Sequence, residues 1–218
     1  MRFREAGRTR GAGEGARPTF AIMSAMRIVL ATALCAAVCL TAATMDIGKP
    51  SPALTIKRLG KPDIMLSQYT GKVVALALID TECPHCQNLT KILNGLATEY
   101  APKGVQVVGC AFNDHADQLL PAFLQKFQPT FPVGYTGNGP VSQYLSWPAL
   151  SVKPLYVPHL VFLDRKGIVR RDVPGEDPFM MDPEKNVREE LDSLLKPGGA
   201  AASHAHSKST ASEAPSHP

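Results

Sequence analysis

Cys83 and Cys86, in Thr81-Glu82-Cys83-Pro84-His85-Cys86, are the residues whose type and spacing speak most directly of chemistry. Two intervening residues let the two sulfurs close a small ring, so the pair can cycle between dithiol and disulfide. Cys83, first of the pair, is the expected nucleophile, and Cys86, one helical turn further in, would resolve a mixed disulfide. The other uses of such a pair are a static disulfide or half of a zinc site. No second Cys-x-x-Cys and no His-x-x-x-His exists to complete tetrahedral zinc, which favours redox chemistry. His85 can lend positive charge or a hydrogen bond to the Cys83 thiolate. Favouring the reduced form in this way makes the disulfide more oxidising. Its plain alternative is an exposed polar residue. Glu82 would oppose that tuning if its carboxylate faces the sulfur.

The elements around the pair have a definite order. Val73 to Ile79 is a continuous apolar run of strand length, as expected of a central buried strand. Residues 87–100 read as a helix whose apolar face holds Leu89, Ile92, Leu93 and Leu96. Pro84 suits a first helical position, because the N–H it lacks would be orphaned there. The dithiol therefore sits where a strand ends and a helix begins. The positive end of the helix favours the Cys83 thiolate. Residues 105–111 read as a second buried strand and residues 115–127 as a helix, with Pro121 as a start or kink. Residues 54–59 and 64–66 are short extended pieces split by Gly60-Lys61-Pro62-Asp63. Residues 131–133 form a short strand, 137–140 a loop and 141–145 a helical turn. Residues 159–163 and 168–173 are strands joined at Asp164-Arg165-Lys166-Gly167. Residues 183–195 close the pattern with a helix, apolar at Val187, Leu191, Leu194 and Leu195. The fold class is α/β, a central mixed sheet flanked by helices.

The charge distribution separates a leader from the rest. Residues 1–27 carry six arginines against Glu5 and Glu14, a net of +4, while the remainder balances 17 basic against 17 acidic residues. Nothing in that balance supports nucleic-acid binding by the folded part. Arg27 precedes an apolar run over residues 28–43 that ends in Thr41-Ala42-Ala43. This is the pattern of a secretory signal, shorter than the roughly 20 residues a spanning helix needs. Residues 1–43 are read as leader plus signal, with residues 1–25 a possible mis-assigned start ahead of Met26. A membrane anchor is the alternative. Residues 46–196 form the domain. Residues 197–218 hold no large apolar residue and are expected to be disordered, with His204, His206 and His217 incidental. Cys35 and Cys39 would leave with the signal. Cys110, in an apolar strand pattern, reads as a small buried hydrophobe.

Several segments together resemble the TlpA/ResA-like branch of exported thioredoxin-fold thiol–disulfide oxidoreductases, close to the redoxin group. They are Gly48-Lys49-Pro50-Ser51-Pro52, the stretch Leu66-Ser67-Gln68-Tyr69-Thr70-Gly71-Lys72-Val73-Val74, Gly104-Val105-Gln106-Val107-Val108-Gly109, and the run from Val157-Pro158-His159 to Asp164-Arg165-Lys166-Gly167-Ile168-Val169. The resemblance covers about 130 residues, Gly48 to roughly Asp177. It implies a thioredoxin-like fold and disulfide exchange with no cofactor and no metal. It also implies that Pro158 is a cis proline opposite the dithiol, placing the Val157 backbone where an extended substrate can pair. Three positions depart from the family: Glu82 replaces the usual aromatic residue, Pro84-His85 resembles the DsbA-type oxidants, and Ala77 replaces a buried acid.

The site residues expected from this reading are Cys83, Pro84, His85, Cys86 and Pro158. The expected partners are cysteine-containing exported proteins and a membrane or periplasmic recycling partner, for a monomer that is periplasmic or secreted. His159 could approach the dithiol or a metal, or point away as alternate strand residues do. Asp80 and Asp114 could relay protons or cap turns. One rival is a copper-delivery protein binding Cu(I) through Cys83, Cys86 and His159. Another is a peroxidase, against which stands the absence of Pro-x-x-x-Thr-x-x-Cys, with Ala77 and Asp80 in that neighbourhood. A third is a non-catalytic adaptor.

Overall fold

A computed structural model describes residues 45–148, 151–152 and 154–197. The leader and signal, with Cys35 and Cys39, lie outside the described residues, as does the tail beyond residue 197. Among the described residues no helix is long and apolar enough to cross a membrane.

Seven strands make one mixed sheet. They are β1 (Thr55–Arg58), β2 (Lys61–Met65), β3 (Val73–Ile79), β4 (Val105–Ala111), β5 (Val133–Tyr135), β6 (His159–Leu163) and β7 (Val169–Val173), in the order β2-β1-β5-β4-β3-β6-β7. β3 lies near the middle, parallel to β4 and antiparallel to β6. All seven of its residues are buried, which accounts for the unbroken apolar run in its sequence. The helices are α1 (Pro84–Tyr100), α2 (Ala116–Phe127), α3 (Asn138–Tyr144) and α4 (Pro183–Leu195).

The pleat sorts β3 onto two cores. Val73, Ala75, Ala77 and Ile79 pack with α1, α2 and α4, whose buried faces include Leu89, Leu93, Leu120, Val187 and Leu191. Val74, Leu76 and Leu78 face the other way, onto Ile56, Ile64, Val141 and Tyr144. Each fully buried Leu or Ile stabilises the fold by about 1.5–3 kcal/mol relative to exposure. Tyr100 is buried at the end of α1, and its hydroxyl donates to Asp192 Oδ1 of α4 at 2.8 Å.

Four expectations shift. α3 begins at Asn138, inside the stretch 137–140 expected as a loop. The turn between the first strands is tighter than Gly60-Lys61-Pro62-Asp63, because β2 already begins at Lys61. Pro62 is tolerated there because β2 is an edge strand, where a missing N–H need not interrupt the sheet. The short strand falls two residues later, at Val133–Tyr135. Pro121 neither starts nor ends α2 but lies inside it on the exposed side, where it leaves the Asp117 carbonyl without its helical N–H donor.

Candidate active site

β3 delivers the chain to the dithiol through a short loop that is tied at every residue. The Asp80 carboxylate accepts from the Glu82 N–H at 2.7 Å, an Asx turn. The Thr81 N–H donates to Asn113 Oδ1 at 3.1 Å, and Asn113 Nδ2 donates to Thr81 Oγ1 at 3.0 Å. This reciprocal pair joins the loop after β3 to the loop after β4. Gln87 Nε2 donates to the Thr81 carbonyl at 2.9 Å. Cys83 follows as the residue before α1, with Pro84 at the first helical position, and the Cys83 carbonyl accepts from the Gln87 N–H at 3.0 Å. No side chain caps this end of α1. Its unpaired N–H groups, and the positive end of the helix dipole, therefore remain available to the dithiol.

The two sulfurs stand in unlike surroundings. Both thiols are free, Cys83 half-buried and Cys86 buried. Cys86 has no exposed surface and packs among the residues of the α1–α2–α4 core. Burial pushes the Cys86 thiol far up from its ordinary value. A hydrogen bond from the Asp80 N–H to its Sγ at 3.4 Å works against this, while the neighbouring Cys83 thiol and the Asp80 charge add to the rise. Cys86 is therefore held as a thiol, chiefly by its burial.

A groove of about 440 Å³ opens next to the pair. His85, Leu89, Val157 and Pro158 line one part of it, and the segment 175–183 lines the rest. The Val157–Pro158 peptide bond is cis. Pro158 and His85 thus line one groove, and Pro84 is the first residue of the helix that carries His85. Gly175 packs backbone to backbone against this segment. A Cβ there would come within 3.0 Å of the Tyr156 and Val157 main chain, and its N–H reaches the Tyr156 carbonyl at 3.4 Å.

Other candidates are placed elsewhere. His159 is buried, and its Nε2 pairs with Asp172 Oδ1 at 2.5 Å. It pairs in register with Leu78 and alternates with Leu160, so it lies on the sheet face away from Cys86. The copper set Cys83, Cys86 and His159 is therefore not assembled. Among the described residues no group of three His, Cys, Asp or Glu side chains is placed to hold a metal ion. Cys110 lies on that same far face, fully buried, and burial pushes its thiol up as well. Asp80 caps its turn. Asp114 accepts from Asn138 Nδ2 at 3.3 Å and so ties the β4 loop to α3.

Sequence reasoning missed Asn113 and Gly175. Asn113 was passed over for the adjacent acid, although Asn at the end of a buried strand is itself a turn-forming signal. Pro174-Gly175, directly after a strand, is a turn dipeptide whose partner could not be read from local sequence.

Comparison with known proteins agrees with this architecture. Residues 47–172 match the AhpC/TSA family, more than half of the chain. Thiol-disulfide oxidoreductase ResA of Bacillus thuringiensis subsp. konkukian (strain 97-27) is 26% identical over 178 residues, covering 78% of this chain and 93% of that protein. The ResA of Bacillus anthracis is 28% identical over 153 residues, covering 70% and 78%. Among solved structures, a putative thiol:disulfide interchange protein DsbE from Chlorobium tepidum aligns with a TM-score of 0.54 at 22% identity, over 68% of this chain and 99% of that one. A putative protein disulfide isomerase from Bacteroides thetaiotaomicron aligns at 0.58 and 20%, over 73% and 96%. The chain belongs to the AhpC/TSA family, has the thioredoxin-like fold, and is distantly homologous to the ResA oxidoreductases.

Proposed function

We propose that this protein is an exported thiol–disulfide oxidoreductase that exchanges disulfides with cysteines of other exported proteins through Cys83-Pro84-His85-Cys86. The observation that carries the reading is the asymmetry of the pair. Cys83 is half-buried at an uncapped helix N-terminus, and Cys86 is sealed beneath it as a thiol. Attack starts from the Cys83 thiolate on one sulfur of a substrate disulfide. The Cys83–substrate S–S bond forms, the substrate S–S bond breaks, and the leaving thiolate takes the electron pair. Cys86 then attacks Cys83 Sγ, its proton passing to the first substrate thiolate, and the second substrate thiolate leaves. The protein ends oxidised and the substrate reduced, and the same steps run backwards when the potentials favour it. Pro158 and the Val157 backbone beside it offer the substrate an extended edge to pair with.

The basic-then-apolar leader supports export, and a cleaved signal near Ala43 would leave a periplasmic or secreted monomer. A membrane or periplasmic thiol partner would recycle the pair. For the peroxidase reading, counting back from Cys83 puts Asp80 and Leu76 at the Thr and Pro positions of the peroxidatic motif. No observation at the site favours that reading. Insulin reduction tests the proposal. Cys83→Ser should abolish turnover, and Cys86→Ser should accumulate mixed disulfides. Full activity in Cys83→Ser would overturn it.

A further inference from the structure

The groove beside the dithiol does not end at Pro158. Segment 175–183 extends it, and that segment has a chemistry of its own. Met180 is half-buried in the lining, while Met181 is 87% exposed, among the most exposed large apolar side chains described. Methionine packs on side chains of varied shape, because its unbranched thioether adapts to what it meets. With Leu89 and Val157 it makes an apolar trench. Glu176 and Asp177 contribute carboxylates to the lining, and beside them stands His85 at the dithiol end but no lysine or arginine. Asp177 gives one oxygen to the Phe179 N–H at 2.8 Å. Glu176 has no ion-pair partner among the described residues, whereas Glu190 of α4 is paired with Arg171. Unpaired carboxylates above low-dielectric walls focus a negative potential in the trench.

We propose that segment 175–183 makes this site selective, favouring extended cysteine-bearing segments with an apolar side chain next to the cysteine and a lysine or arginine a few residues on. The inference rests on the thiol-exchange reading above and adds the class of partner. The cysteine meets Cys83, the apolar neighbour lies between Val157 and the two methionines, and the cation approaches Glu176 and Asp177. An extended chain rises about 3.3 Å per residue, so a basic residue within a few positions has the reach. Gly175 fits this arrangement, because its backbone contact with Tyr156 and Val157 fixes the acidic segment to the substrate-pairing edge.

Capture by Cys86→Ser protein tests it. Two peptides are compared, each carrying Leu beside the cysteine and either two arginines or two glutamates further along. Their cysteines are first joined in mixed disulfides to 5-thio-2-nitrobenzoate. Cys83 Sγ bonds to the peptide sulfur, the old S–S bond breaks, and the coloured thionitrobenzoate anion leaves with the electron pair, which gives the rate directly. The arginine peptide should react about fivefold faster at low salt, the size of one good exposed ion pair. The difference should shrink toward unity near 1 M salt, where charges are screened within about 3 Å. Adding Glu176→Lys should bring the ratio toward one, and adding Met181→Ser should reduce the rate advantage of the arginine peptide over a third peptide with Ser in place of its Leu. Ratios are taken within one protein preparation, so a loss of folded material cancels. Equal rates for the two charged peptides, or a ratio unmoved by Glu176→Lys, overturn the selectivity while leaving thiol exchange standing. If neither peptide releases thionitrobenzoate faster than Cys83→Ser protein does, the exchange reading fails and the selectivity falls with it.

Discussion

The two ends of the central sheet use their polar groups in opposite ways. At the β6–β7 hairpin, Asp164 is surrounded by donors: the Lys166 N–H at 2.8 Å, the Ile168 N–H at 3.1 Å, and Arg170 through Nε at 2.8 Å and Nη2 at 2.6 Å. The N-terminal segment is stitched to the same hairpin, with the Gly48 N–H on the Val169 carbonyl and the Ser51 N–H on the Gly167 carbonyl, both at 2.8 Å. At the other end, where β3 leads to the dithiol, the loop backbone is just as firmly held. Yet the helix terminus there is uncapped, His85 is exposed, and a groove stands open. At the first end the polar groups satisfy one another, beside a cavity of about 310 Å³ lined in part by Ser51, Asp164 and Gly167. The second combines a rigid frame with unpaired groups, which is what a site for a transient covalent partner requires.

That contrast can be broken by mutation. The largest effect is expected at the hairpin end. Asp164→Ala removes the acceptor of two backbone N–H groups and of two Arg170 hydrogen bonds, and should cost roughly 3 kcal/mol of stability, seen as a lower Tm, with disulfide exchange at 25 °C unchanged. A loss of exchange with intact stability would erase the distinction between the ends. The same carboxylate sets a pH dependence. Burial alone would raise its pKa, but the Arg170 guanidinium and the Ile168 and Lys166 N–H groups outweigh burial and hold it below the usual carboxylate value. Its stabilisation is therefore complete above the unfolded value of roughly 4 and is lost as pH falls through the lower folded value. Denaturation by acid should show a shallower loss in Asp164→Asn than in the unmodified protein.

At the open end the expected effect is smaller and lies in redox balance. His85→Ala should make the Cys83–Cys86 potential more negative by about 30 mV, equivalent to roughly 1.4 kcal/mol, because a group favouring the reduced thiolate is gone. Tm of the reduced protein should hardly move. Glu82→Ala should shift the potential the other way. An unchanged potential in both variants would show that Pro84-His85 is not the tuning element.

The smallest effect is expected from the other buried thiol. Cys110→Ser should cost about 1 kcal/mol for a hydroxyl in an apolar setting and leave exchange intact. Cys86 and Cys110 are both inaccessible and both pushed up by burial, but only Cys86 has Cys83 beside it at a helix start. An essential Cys110 would mean that burial on the far face does not isolate a thiol.

The parts of the fold written in local pattern were legible. Continuous apolar residues from Val73 to Ile79 identify the central strand, and Pro84 marks the start of α1 to the residue. Helix α4 falls on residues 183–195 as read. What was missed depends on contacts between distant segments. The strand at Val133–Tyr135 is set by pairing with β4 and β1, not by its own composition, so local reading placed it two residues early. Pro121 looked like a boundary, yet packing of Ala116, Leu120 and Phe123 carries the helix through it. At the site, the dithiol and its neighbours could be read from spacing. The reciprocal Thr81–Asn113 pair and the Gly175 contact could not, because each joins residues from different loops.

The attachment of the dithiol to β3 has a mechanical consequence. While a mixed disulfide exists, the partner is a tether, and any tension on it enters the domain at Cys83. The chain behind Cys83 runs directly into a strand hydrogen-bonded along its length to β4 on one side and along most of it to β6 on the other. A pull along that strand loads the two ladders in shear, so their bonds resist together instead of opening one after another. A substrate that is still moving or folding can thus be held by a single sulfur without drawing the domain apart.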